Sequence, residues 1–274
     1  MENSEGLESR LHKWLATQGY PLEMKFAERV RKLTKLSVRQ GWHFEDPEQG
    51  TSREIDIVCS ANEIYGFAEV NFVVECKATS KPWVIFSSED AIASYHRLSA
   101  FGIFSEEAFS EIADKAFDLE NSCATAKEIP WFWKEGRVGY SIAQAFEGGG
   151  EAPYAGCMSA LKASLWLQEK SLWQSAEHRK FVATFPAVVT SSPLFECYLD
   201  ETGELRLEPI EAGFLFFPQI VGRFGGTCIS VVSSAGIDNF VRECGEVADA
   251  LMGLLQPAIN KEWADFKKSR LANS

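Results

Sequence analysis

A chain of 274 residues, 46% hydrophobic and 24% charged, is long enough to bury a sizeable core, and its composition excludes a disordered or fibrous protein. The net charge of −12 excludes a protein that coats nucleic acid with its whole surface, because phosphate would repel it, so any basic track must be local. Seven cysteines (Cys59, Cys76, Cys123, Cys157, Cys197, Cys228 and Cys244), an odd number with no Cys-x-x-Cys pair, indicate neither a disulfide framework nor a zinc ribbon.

The chain opens Met-Glu-Asn-Ser-Glu-Gly, without the basic start and apolar core of a secretory signal. No apolar run approaches the roughly 20 residues of a membrane span. A soluble, cytoplasmic protein with reduced thiols and no membrane partner is expected. Leu7 to Leu15 reads as a short helix before a break at Gly19. From Pro21 to about Arg39, Leu22, Phe26, Val30 and Leu33 recur at steps of three and four, which predicts a helix with one buried stripe and a stop at Gly41. Trp42 to Gly50 reads as a loop. Arg53 to Cys59 alternates and predicts a strand that carries Glu54 and Asp56 on one face. Ala68 to Lys77 predicts a second strand, in which Glu75 and Lys77 share a face, and Trp83 to Phe86 a third.

Residues 87–153 read as an insertion with helical patches at Ala91 to Phe101 and Ala108 to Leu119, an aromatic cluster Trp131-Phe132-Trp133, and Gly148-Gly149-Gly150. A long helix is expected from about Tyr154 to Glu177. Strands follow at Phe181 to Val189, Phe195 to Leu199, Leu205 to Ile210, Phe214 to Phe217 and Cys228 to Val232. A last helix from about Asp238 to Leu255 precedes a basic tail with Lys261, Lys267, Lys268 and Arg270. The expected class is α/β, a mixed central sheet flanked by helices. Its core spans 21–86 and 154–190, with 191–274 as a C-terminal strand and helix extension.

Asp56 and Glu75 carry the chemistry. If their strands pair as a hairpin, two carboxylates meet around one hard divalent cation, and carboxylate-held magnesium suits phosphodiester hydrolysis. Lys77 points to the same side, where its ammonium can orient water or meet phosphate. Val74 and Cys76 then point into the opposite layer, which makes Cys76 a buried thiol rather than a nucleophile.

A helix with an acid, then Ile55-Asp56-Ile57, then Val73-Val74-Glu75-Cys76-Lys77, resembles the PD-(D/E)xK, or restriction-endonuclease-like, nuclease superfamily. Ile55 stands where the pattern has proline. The resemblance covers Pro21 to Phe86, and Tyr154 to Thr190 by topology alone. It implies a core in the order helix, three strands, helix, strand. It further implies Asp56, Glu75 and the Cys76 carbonyl as ligands of Mg2+ (or Mn2+), and Lys77 as the residue positioning water. An endonuclease acting on DNA is implied, with bacterial restriction or phage defence as its setting and a homodimer as a common assembly.

Helical angles place Glu23 on the border of the buried stripe and Glu28 nearly opposite, so Glu23 is the helix acid expected at the site. The same wheel groups Lys25, Arg29, Lys32 and Arg39 as a basic face for phosphate. Trp131-Phe132-Trp133 reads either as a base-stacking platform or as core. His12, His43, His96 and His178 have no metal-ligand spacing, and neither Gly148-Gly149-Gly150 nor Gly222-Arg223-Phe224-Gly225-Gly226 ends as a P-loop does. Two alternatives stay open. One is a catalytically inactive protein of this fold that binds nucleic acid or works with a protein partner; the other is a hydrolase using paired carboxylates on sugars.

Overall fold

The computed structural model describes residues 6–15, 18–46, 50–95, 97–116, 129–133, 136–146, 152–173, 179–219 and 225–272. Helix α1 (Leu7–Leu15) lies where expected and carries Leu7, Leu11, Trp14 and Leu15 exposed. Helix α2 (Tyr20–Leu33) starts with Pro21 in its first turn and buries Leu22, Phe26, Ala27 and Val30, the predicted stripe. It ends well before Gly41. Thr34 turns to an extended conformation, and both its N–H and its hydroxyl donate to the Val30 carbonyl, which closes the helix.

Strand β1 (Ser37–Asp46) therefore replaces the expected helix end and loop. Most of its residues are exposed, and near its end Trp42, Phe44 and Asp46 turn inward. Its backbone is satisfied by antiparallel pairing with β2 (Thr51–Asn62), Ser37 opposite Ser60 and Asp46 opposite Thr51. Gly41 supplies a φ of +66° inside β1, a conformation that glycine adopts without strain. Strand β3 (Ala68–Lys77) follows from a turn at Gly66 and pairs with β2 in antiparallel register, Ile57 opposite Val74.

The segment Trp83–Ser88, β4, does not become the third strand of this group. It pairs with β6 (Val138–Gln144) and β8 (Leu194–Leu199) in the far half of the sheet. Local contacts explain the detour. Residues after Lys77 run beside the residues after β7 (Phe181–Thr190), where the Thr79 N–H donates to Ser191 Oγ at 3.0 Å and the Trp83 N–H to the Pro193 carbonyl at 2.9 Å. Two strands that are parallel before this crossing, β3 and β7, thus lead into two that are parallel after it, β4 and β8.

Helix α6 (Ala152–Trp173) precedes β7, every residue of which is buried. With β9 (Leu205–Ile210), β10 (Ala212–Gln219) and β11 (Gly225–Ser233), the main path of the sheet runs β1-β2-β3-β7-β11-β10-β6-β4-β8-β9, and β5 (Ile103–Phe104) adds to β7. The class is α/β, with a large mixed sheet flanked by helices. The sheet runs unbroken through residues expected as insertion and as extension, since β6 lies in 87–153 and β8 to β11 in 191–274.

One face packs on α2, on α3 (Arg97–Phe101), α4 (Glu106–Ala116) and α5 (Pro130–Trp133), and on α7 (Ile237–Ala272); the other packs on α6. The first helical patch is turn and bend over 91–95 and helical over 97–101. Trp131 and Phe132 are core: Trp131 stacks on Phe240 and donates its Nε1–H to Glu243 at 2.9 Å, so the base-stacking alternative fails for both. Helix α7 continues through Pro257 over the expected basic tail, because Ala258 and Ile259 remain buried and Trp263 and Phe266 pack on Phe67. The end of the second helical patch (117–119), Gly148-Gly149-Gly150, Gly222-Arg223-Phe224, His96, His178, Cys123 and the Trp133 side chain lie outside the described parts. No helix among the described residues is long and apolar enough to cross a membrane.

Candidate functional site

Hydrogen-bonded pairing between β2 and β3 reaches Ile57 and Val74. Next to that pair, the Asp56 side chain accepts the Cys76 N–H at Oδ2, 2.7 Å away, so a carboxylate takes over where the backbone ladder stops. On β3, Phe72, Val74 and Cys76 enter the cluster containing α2 and α7, while Val73 meets Ala163 and Leu167 of α6. Strand alternation puts Glu75 and Lys77 with Val73 on the α6 side. There Lys77 Nζ donates to Glu75 Oε1 at 2.6 Å, with the two side chains 30% and 12% exposed.

Two glycines make room around these groups. A Cβ on Gly156 of α6 would sit 3.2 Å from both Cγ and Cε of Lys77, so the missing side chain lets the lysine lie against the helix. A Cβ on Gly19 would sit 3.3 Å from Glu23 Oε1 and 3.8 Å from the Cys76 carbonyl oxygen. The start of α2 therefore brings Glu23 to the same end of the sheet as Cys76. A glycine inside the predicted α6 helix was the available sequence signal for the first contact; nothing in the sequence signalled the second.

The acids repel one another. Burial, helped by the charges of Asp56, Glu54 and Glu75, pushes the Glu23 carboxyl up to about 7. Burial also raises Asp56, against the pull of the Cys76 N–H and the Lys77 ammonium. Glu75 is raised by burial and by Asp56, while Lys77 and Arg53 hold it down. Burial, helped by the charges of Asp56, Glu23 and Glu75, raises the Cys76 thiol well above its ordinary range, in line with an inert side chain.

Among the described residues no group of three or more His, Cys, Asp or Glu side chains is close enough to form a finished metal cage. The donors nonetheless have the chemistry of a hard-cation site. Asp56 Oδ1, Glu75 Oε2 and both oxygens of Glu23 accept no hydrogen bond among the described residues.

Of the basic face predicted for α2, Lys25, Arg29 and Lys32 lie on the helix and Arg39 does not. Arg29 makes a two-pronged pair with Asp238 of α7, at 2.6 and 2.5 Å, and Lys32 pairs with Glu28. Lys25 is exposed on α2. Arg39 is not on the helix at all: it lies on β1, its guanidinium carbon 4.6 Å from the centre of the Trp42 ring. No family model, curated protein or solved structure matches the chain.

Proposed function

We propose that the chain is a divalent-metal-dependent endonuclease that hydrolyses phosphodiester bonds in DNA, with Asp56, Glu75 and Lys77 at its centre and Glu23 beside them. The observation that carries this reading is the gathering of three carboxylates at one end of the sheet, Glu23 raised by burial and by the charges of Asp56 and Glu75, with the Lys77 ammonium acting on Asp56 and bonded to Glu75. The order α2, β1, β2, β3, α6, β7, with β3 parallel to β7, further supports a restriction-endonuclease-like core.

In this reading Asp56, Glu75 and the Cys76 carbonyl would hold Mg2+ or Mn2+. A bound ion would supply Lewis acidity and charge neutralisation at the scissile phosphate. Lys77 orients the attacking water and steadies the charge that grows on phosphate oxygen as the P–O bond to the leaving oxygen breaks. Glu75 must share its oxygens between cation and Lys77. Glu23, whose carboxyl is raised to about 7, would be the group that takes a proton from water in this reading.

In the test, purified chain nicks supercoiled plasmid with about 10 mM Mg2+, and the Asp56→Asn variant loses at least about a hundredfold of that rate while staying folded. Undiminished nicking by the variant would sink the assignment. The closed Glu75–Lys77 pair favours a second reading, a nucleic-acid-binding protein of this fold without turnover, for which the unaltered chain binds DNA and never nicks it.

A further inference from the structure

We infer that Arg39, Trp42 and Lys170 form a docking point for the phosphodiester backbone of the DNA, an inference that rests on the nuclease reading. Arg39 and Trp42 lie on β1 and Lys170 on α6. The Arg39 guanidinium carbon is 4.6 Å from the Trp42 ring centre, and Lys170 Nζ is 4.2 Å from that centre and 4.6 Å from that of Trp166. Trp166 meets Trp42 edge-on, 5.6 Å between centres. Each cation thus rests on an aromatic surface, which restricts a long side chain before any ligand arrives.

Neither cation meets a carboxylate among the described residues. Arg39 and Lys170 make no ion pair or hydrogen bond among the described residues, whereas Arg29, Lys32, Arg53, Arg137, Lys180 and Arg206 each contact an acid. In a chain of net charge −12, two positive groups ordered by rings and without an anionic partner among the described residues suit an external one. Their position connects them to the acids. Trp42 is the register partner of Ile55, the neighbour of Asp56, so its Cα lies within roughly 9 Å of the Cα of Asp56. With the Trp42 ring engaged by cations and by Trp166, the contact is to phosphate rather than to a stacked base, and it positions the strand without reading sequence.

The test measures binding of a labelled duplex of about 20 base pairs to full chain carrying Asp56→Asn, by fluorescence anisotropy across a salt series. The Arg39→Gln/Lys170→Gln double variant is expected to lose on the order of tenfold to sixtyfold in affinity at about 0.1 M salt, with a salt slope smaller by about 2. Arg39→Gln alone lowers the slope by about 1. Circular dichroism of each variant matches the parent. A double variant with the parent's affinity and slope overturns the docking point, and leaves the nuclease reading standing if the unaltered chain nicks plasmid. Absence of both nicking and binding by the unaltered chain overturns both.

Discussion

In the nuclease reading Asp56 does two jobs that substitution can separate. Its Oδ2 accepts the Cys76 N–H, and its other oxygen, which accepts no hydrogen bond among the described residues, would take the cation. Asparagine keeps an acceptor and drops the charge, whereas alanine leaves a buried N–H unmade. Asp56→Ala is therefore expected to be less stable than Asp56→Asn by about 1–3 kcal/mol in urea unfolding, with both inactive; equal stabilities would deny the hydrogen bond its structural role. Glu23 is read through pH. Its carboxyl is raised to about 7 from an ordinary 4.5, so the folded state binds the extra proton and stability drains away as pH rises between those values. Glu23→Gln lacks that loss. The Tm of the variant minus that of the parent should grow from pH 4.5 to 7 and then level off, and millimolar Mg2+ should shrink the difference at pH 8. A difference that falls with pH would mean that Glu23 is stabilised as an anion, contrary to the repulsion described.

Among the elements, α6 and β3 meet at the one helix glycine that touches the lysine. Gly156→Ala gains helix propensity, up to about 1 kcal/mol, but its methyl reaches Lys77 Cγ and Cε at 3.2 Å. The expected result is an unchanged or slightly higher Tm together with a nicking rate lower by about tenfold; an unchanged rate would show that Lys77 has slack. Elements with strong patterns were legible in the sequence. The α2 stripe, the bounds of β3 and the buried run of β7 all follow from periodicity or β-branched content. Strand β1 is hidden because only its last residues, Phe44 and Asp46, are buried while its first half is largely exposed, and Gly41 in its middle reads equally well as a helix stop. The reach of α7 was hidden because Pro257 is a strong break signal that packing of Ala258 and Ile259 overrides. Within the site, the pairing of Asp56 with the β3 strand was legible from two alternating segments. Placing Arg39 with the α2 cations was an error inherited from the misjudged helix end, which also concealed its contact with Trp42.

At the scale of the whole molecule, one sheet carries both halves, and the acids lie where β2 and β3 stop pairing rather than in its interior. Partners of distant strands were beyond reach of the sequence, since the crossing of β4 and β8 depends on hydroxyl and backbone contacts more than a hundred residues apart in the chain. The net charge of −12 makes local basic contacts and a cation necessary for any approach to DNA at physiological salt. The direct test is a manganese-soaked crystal examined for anomalous density. The account predicts a peak roughly 2.0–2.2 Å from oxygens of Asp56 and Glu75, with Lys77 still within reach of the phosphate side. A crystal soaked at millimolar manganese with no peak there, and with the Glu75–Lys77 pair intact, would contradict it.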